Sequence, residues 1–387
     1  MGETRIEQHI AVFGESGSGK TVLLSSFYGA TQQKQYVDER PYQVIADSQT
    51  DARVLLQNYL GMRRSGEAPL PTRFASHSFG FSIKPKIEPD AKKRSVNSIR
   101  VVWHDYPGEW FEKDLTGSEA EERVATFQKL LRSDVSLILI DGQRLLDNAG
   151  EEDRYLKSVL ANINDGLRRL HDQVPDGEKL EQFPRIWLFA LSKCDLLPEV
   201  DAYAFRDLLV EKAAFEIGEL ERTLRYFVDT PEALAIGEDF VLLSSAKFEP
   251  GGKIDLAQRI GVDLMLPLAA VLPFERFARW AQRSAAVSSL LLRLAGSSGK
   301  VVDVLGKIAS AALVLRRAPN RFVAAAGKAL AVAGPLAREL SEMSVARIEE
   351  AHRQASAKHD VLHAALLSFK LALGKAEKEQ KLLRSAR

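Results

Sequence analysis

A single cysteine, Cys194, in 387 residues leaves this chain without a disulfide framework or a cysteine-based metal site. That scarcity fits a reducing, cytoplasmic compartment. The start, Met1-Gly2-Glu3-Thr4-Arg5-Ile6-Glu7, has no apolar stretch of the kind a secretory leader carries. Ile6 also stands where an N-myristoylation motif wants Ser or Thr. In the C-terminal third the uncharged runs 284–292 and 329–337 are nine residues each, against the roughly 20 that a membrane-spanning helix needs. Neither crosses a bilayer.

What is present is an ordinary globular composition, 45% hydrophobic and 27% charged, long enough for two domains. The net charge of +1 hides an asymmetry. Residues 276–338 hold eleven Arg or Lys (Arg276, Arg279, Arg283, Arg293, Lys300, Lys307, Arg316, Arg317, Arg321, Lys328, Arg338) and one acid, Asp303, a formal +10 that leaves −9 for the rest. A split of that size points the basic part at something anionic.

The motif around which the chain is organised is Gly14-Glu15-Ser16-Gly17-Ser18-Gly19-Lys20-Thr21, after the apolar run Ile10-Ala11-Val12-Phe13 and before Val22-Leu23-Leu24. This is the phosphate-loop pattern in its strand–loop–helix context. Its glycines let backbone N–H groups converge on phosphates, with a helix N-terminus behind them. Lys20 is placed for the β- and γ-phosphates and the Thr21 hydroxyl for Mg²⁺. Further strands are expected at 42–46, 79–83, 99–103, 135–141, 186–191 and 240–243. The pair 79–83 and 99–103 is expected to be antiparallel beside a parallel core. Helices are expected at 20–33, from a cap at Asp47 or Ser48 to about Met62, at 151–170 and at 204–226. Alternating strands and helices describe a three-layer α/β domain over 1–256, its sheet mostly parallel with one antiparallel edge strand.

The strand ends carry the remaining chemistry. Asp105-Tyr106-Pro107-Gly108 follows the strand at 99–103; an acid there is placed to hold Mg²⁺, and a glycine three residues on lets a backbone N–H approach a γ-phosphate. Ser192-Lys193-Cys194-Asp195 and Ser244-Ser245-Ala246-Lys247 end the last two expected strands.

In this order the motifs resemble those of the Ras-like, translation-factor-related P-loop GTPases, over about residues 8–256. The stretch Asp105-Tyr106-Pro107-Gly108-Glu109-Trp110 is similar to YcjX-like and bacterial double-GTPase proteins; the D-x-P-G form also occurs in dynamin-like and immunity-related GTPases. The resemblance implies that Asp195 selects guanine, its carboxylate accepting from N1–H and the exocyclic amine, a donor pair that adenine lacks. It implies that Lys193 packs along the base and braces the phosphate loop, and that Ser245, Ala246 and Lys247 support the base. Val22 closes the nucleotide set, with GTP/GDP and Mg²⁺ as cofactors.

Three departures matter. Ser192 replaces the usual Asn or Thr, which implies weaker guanine selectivity. Glu109 replaces the water-positioning glutamine, which implies slow intrinsic hydrolysis. The 85-residue spacing between Lys20 and Asp105 lengthens the first switch, where Thr72 is the assigned Mg²⁺ contact and Ser76 and Ser78 are alternatives. The expected catalytic set is Lys20, Thr72, Gly108 and Glu109; the metal set is Thr21, Thr72 and Asp105.

Other residues carry weaker signals. Arg63, Arg64 and Arg73 fit an internal arginine finger, but solvated loop charges are the favoured reading. His104 reads better as a satisfied core or interface histidine than as a proton relay. His352, His359 and His363 read better as the edge of a packed helix than as a metal site.

Residues 257–387 form the expected all-helical C-terminal domain. Its last helix, about 344–384, carries the seven-residue stripe Ile348, Ala355, Leu362, Phe369, Ala376, Leu383. The expected activity is a Mg²⁺-dependent GTPase switch transmitting its state through that tail to a protein partner. The alternative is a dynamin-like, nucleotide-gated scaffold with little intrinsic turnover, associated with a partner or with an anionic membrane surface at the inner face of the membrane, and able to self-assemble. Nucleic acid is disfavoured, because few aromatics interleave with the basic residues.

Overall fold

Along the first strand the side chains divide cleanly between two cores. Ile10 and Val12 enter one hydrophobic cluster, and Ala11 and Phe13 enter the other. The same period-two division recurs at Leu137 against Ile138 and at Leu188 against Phe189, the signature of strands covered on both faces. The computed structural model describes residues 5–40, 42–66, 69, 76–86, 98–106, 108, 118–171, 185–227, 234–248, 254–283, 345–357 and 361–385.

Its elements run β1 (Arg5–Phe13), α1 (Lys20–Thr31), α2 (Lys34–Glu39), β2 (Tyr42–Ala46), α3 (Gln49–Ser65), β3 (His77–Pro85), β4 (Ser98–Asp105), α4 (Ser118–Leu131), β5 (Val135–Asp141), α5 (Gly142–Asp147), α6 (Glu152–His171), β6 (Arg185–Ser192), α7 (Ala202–Tyr226), β7 (Leu234–Leu242), β8 (Lys247–Phe248), β9 (Ile254–Asp255), α8 (Met265–Arg283), α9 (Val345–Ala357), α10 (Val361–Lys378) and β10 (Leu382–Leu383). The main sheet has the order β10-β7-β6-β5-β1-β4-β3-β2. Strands β4, β1, β5, β6 and β7 are parallel neighbours. The expected antiparallel pair is β3 on β4. The sheet reaches further than expected at both edges, with β2 antiparallel to β3 and β10 antiparallel to β7.

Local chemistry sets the boundaries. Ser48 Oγ accepts from Asp51 N at 3.2 Å and caps α3, and Gly66, at φ 72°, ends it. A bulge in β7 at Gly237 (φ 70°) shifts the register so that Asp239 pairs with Leu188. Helices α4, α6 and α7 contribute to one core; α1, α3, α8, α9 and α10 contribute to the other.

The elements after residue 256 lie on the sheet. Leu268 to Leu272 of α8 and Leu366, Phe369 and Leu373 of α10 share a core cluster with Ile10, Val101 and Leu137. The helix expected over 344–384 is described in two pieces and stops at Lys378. Lys381 N donates to Ala376 O at 2.9 Å around Gln380, whose φ is 55°. That six-to-one bond closes a helix C-terminus with a non-glycine residue in the left-handed position. Leu383, the last residue of the expected stripe, therefore lies in β10, facing Phe240. The basic stretch from Arg293 to Arg338 lies outside the described residues. Among the described residues no helix is long and apolar enough to cross a membrane.

Candidate functional site

The C-terminal ends of β1, β4, β5, β6 and β7 bring the sequence motifs to one edge of the sheet. Residues 14–19 leave β1, and Gly17 (φ 80°) and Gly19 (φ 94°) take left-handed conformations before α1 begins at Lys20. A side chain at either position would strain that backbone. Lys20 is buried, its ammonium donating to Gly14 O at 2.6 Å and Glu15 O at 3.0 Å. Thr21 and Val22 follow in the first turn, both half-buried. The Ser18 side chain is buried within the loop.

Asp105 is the last residue of β4 and 3% exposed. Tyr106, fully buried, accepts from Gly14 N at 2.9 Å through its hydroxyl, and the Lys20 ammonium lies 5.3 Å from its ring centroid. Burial pushes the Tyr106 phenol well above its ordinary value. Gly108 then meets the loop directly. A Cβ there would stand 2.5 Å from Ser16 N, 2.7 Å from Glu15 C and 2.8 Å from Lys20 Nζ. Only glycine allows this approach.

A second cluster lies at the ends of β6 and β7. Asp195 Oδ1 accepts from Ser244 Oγ at 2.6 Å, and Cys194 N donates to Leu243 O at 3.2 Å. Together these tie Ser192-Lys193-Cys194-Asp195 to Ser244-Ser245-Ala246-Lys247. Ala246 is fully buried, Ser245 half-buried and Lys247 exposed in β8. Ser192 Oγ donates to Ile140 O at 3.3 Å. Lys193 takes φ 53° and its ammonium pairs with Asp141 Oδ2 at 2.7 Å. Burial raises the Cys194 thiol to about 12, which leaves it unreactive.

Between the clusters stands a turn the sequence reading passed over. Asp141 caps α5 by accepting from Gln143 N at 2.9 Å while holding Lys193. A Cβ on Gly142 would lie 2.7 Å from Ser192 O, so glycine lets β5 and β6 end side by side. Arg144 pairs with the Glu15 carboxylate and donates to Ser16 O at 3.1 Å. The available signal was Asp141-Gly142 directly after an apolar strand, a cap followed by a breaker.

Thr72, Arg73, Glu109 and Trp110 lie outside the described residues, as does His359. The alternatives to Thr72 are engaged elsewhere: Ser76 Oγ accepts from Thr126 Oγ1 at 2.8 Å, and Ser78 Oγ bonds His104 Nδ1 at 2.8 Å. His104 also meets His9 at 3.0 Å, the satisfied core histidine the sequence favours. Arg63 and Arg64 are exposed in the last turn of α3. Among the described residues no group of three His, Cys, Asp or Glu side chains is placed to hold a metal. One carboxylate and one hydroxyl, Asp105 and Thr21, are hard oxygen donors of the kind that hold Mg²⁺ together with substrate phosphates.

No family model matches this sequence, and no curated protein matches it. Solved structures do. The GTPase-like domain of S. cerevisiae Ski7, bound to GDP and inorganic phosphate, is 14% identical over 64% of this chain and 47% of its own, with a TM-score of 0.28. Methanosarcina barkeri Roco2 RocCORdC bound to GDP is 16% identical over 63% and 46%, with a TM-score of 0.23. The LeoA bacterial dynamin GTPase from ETEC is 14% identical over 92% and 62%, with a TM-score of 0.25. This chain thus spans about half the length of the Ski7 and Roco2 chains. At these scores the likenesses carry no argument, and the functional reading rests on the site.

Proposed function

We propose that this chain is a Mg²⁺-dependent GTP-binding and GTP-hydrolysing switch. The observation that carries the reading is the convergence of Ser16 N, the Glu15 backbone and Lys20 Nζ on Gly108. A phosphate loop and a strand-end D-x-x-G glycine in contact form the γ-phosphate end of a nucleotide site.

In this reading the N–H groups of residues 14–21 and the α1 N-terminus take the β- and γ-phosphates. Lys20 exchanges its Gly14 and Glu15 carbonyl partners for phosphate oxygens. Thr21 and Asp105, with Thr72 from the first switch, would hold Mg²⁺, which would supply positive charge to offset that of the phosphates. Gly108 N–H meets the γ-phosphate, and Glu109 orients the water that attacks phosphorus as the bond to the β-phosphate oxygen breaks. The Glu109 carboxylate also repels that phosphate, so turnover without a partner is slow. Asp195, held by Ser244, accepts from the guanine N1–H and amine.

The C-terminal elements are suited to carry the nucleotide state outward. Gln380 O and Lys381 O accept from Ala202 N at 2.8 Å and Leu242 N at 2.9 Å, beside the base motifs. Phe369 of α10 meets Tyr42 of β2 edge-on at 5.4 Å. The basic segment between α8 and α9 then serves a protein partner or an anionic surface. Kinship with YcjX-like and double-GTPase proteins is part of the proposal and rests on residues 105–110 alone.

Equilibrium binding and turnover of GTP and ATP, each with Mg²⁺ and with a chelator, test the reading. GTP preferred over ATP, with turnover abolished by chelation, is the expected result. Equal ATP use refutes the guanine assignment, and no binding of either nucleotide refutes the whole.

A further inference from the structure

Resting on the nucleotide reading, we propose that Arg144 is a positioning residue of the phosphate site. It cancels the Glu15 charge and fixes the Ser16–Gly17 peptide. Glu15 places a carboxylate, its side chain only 10% exposed, inside a loop whose other groups are arranged for polyphosphate. An uncompensated carboxylate there opposes every phosphate oxygen, in surroundings that screen charge poorly. Arg144 removes that opposition. One branch of its guanidinium pairs with Glu15 Oε2, while Asn162 of α6 donates to Oε1 at 3.4 Å.

The other branch sets geometry. It donates to Ser16 O at 3.1 Å. In a planar trans peptide the C=O and the next N–H point in opposite directions. Holding the Ser16 carbonyl against Arg144 therefore turns the Gly17 N–H away from it, at a residue whose φ of 80° lies in the left-handed region. A lysine can supply the charge but not the two-branched grip. The arginine side chain is 40% exposed, so it is not there to fill a core.

Arg144 is also tied to the base motif. It sits in α5, whose cap, Asp141, holds Lys193. One short helix thus links the loop that faces phosphates to the one that faces the base.

The test is GTP and GDP affinity in the full chain for the wild type, Arg144→Ala, Glu15→Gln and the double variant, across ionic strength. Arg144→Ala is expected to weaken both nucleotides about 10- to 100-fold. Glu15→Gln alone is expected to bind at least as tightly as the wild type, and the double variant to regain most of the loss. Rescue by removing the opposing charge is something a merely structural arginine does not show. Unchanged affinity in Arg144→Ala, or a double variant as weak as Arg144→Ala, overturns the proposal while leaving the nucleotide reading intact. A wild type that binds neither nucleotide sinks the nucleotide reading, and this proposal with it. Should Arg144→Ala fail to fold, Arg144→Lys keeps the question open. It is expected to lose about threefold to tenfold in affinity through the missing Ser16 bond, and no loss overturns the geometric half of the proposal.

Discussion

Replacing Gly108 by alanine adds one methyl group at the most crowded point of the site. The new Cβ would stand 2.5 Å from Ser16 N and 2.7 Å from Glu15 C, where ordinary contact begins at 3.4 Å. Both neighbours are backbone, so rotating a side chain brings no relief. The D-x-x-G segment and the phosphate loop must separate by about 0.9 Å, or the backbone between Asp105 and Gly108 must turn. Overpacking of this kind costs about 1–3 kcal/mol. It falls on the close approach of Gly108 to the loop, which the proposed contact of Gly108 N–H with a γ-phosphate held by that loop requires. GDP has no γ-phosphate for Gly108 to meet, so its binding is largely spared. Gly108→Ala is therefore expected to lower GTP affinity about 5- to 150-fold, the same energy expressed as a ratio, and to change GDP affinity less than about threefold. Fluorescent GTP and GDP analogues give the two affinities, and single-turnover hydrolysis gives the rate. An unchanged GTP/GDP ratio together with a wild-type rate would refute the reasoning.

Two further predictions concern stability. Glu275 is fully buried between Lys370 and Arg384, beside a buried Asp239–Arg276 pair. Arg384→Met takes the Arg384 guanidinium from the buried Glu275 carboxylate and is expected to cost about 3 kcal/mol, the low end for breaking a buried pair. Urea unfolding measures it, and a loss under about 0.5 kcal/mol contradicts the network's role. The second concerns pH. Burial holds the His104 imidazole down at about 4 against its ordinary 6.5, with His9 and Lys129 adding to the depression and Glu7 opposing it. The unfolded chain then takes up its proton first, so stability is full above 6.5 and falls as pH drops toward 4. The total is about 3 kcal/mol. A His104→Gln variant is expected to flatten that stretch of the stability profile, and an identical slope refutes the assignment.

The parts of the molecule legible in the sequence are those where one residue type is forced by local chemistry. The phosphate loop reads from its glycines, and β5 from a seven-residue, near-continuous apolar run that ends in Asp141. The α3 cap reads as Asp47 or Ser48, two side chains that can accept from the first turn, and the Ser48 hydroxyl takes it. What escaped depends on distant partners. Leu382-Leu383 pairs as β10 only because Gln380 closes the preceding helix in a left-handed turn, which its residue type does not announce. The packing of Leu366 and Phe369 on the sheet escaped because a seven-residue stripe serves a separate bundle and a sheet face equally well. Arg144 looks like any helix-surface arginine until Glu15, 129 residues away, is brought beside it. Tyr106 occupies a variable position of its motif, and its bond to Gly14 N is visible only once β1 and β4 are neighbours.

The central claim is that this site takes a guanine nucleotide, and Asp195 tests it most directly. Asparagine in its place presents an N–H donor where the carboxylate accepted from the guanine amine; xanthine carries a carbonyl at that position. Binding of GTP, ATP and xanthosine triphosphate would be measured on the wild type and on Asp195→Asn. The account predicts that the wild type prefers GTP, and that the variant loses GTP and gains xanthosine triphosphate. A variant that still binds GTP as the wild type does, or a wild type that binds ATP equally well, would contradict it.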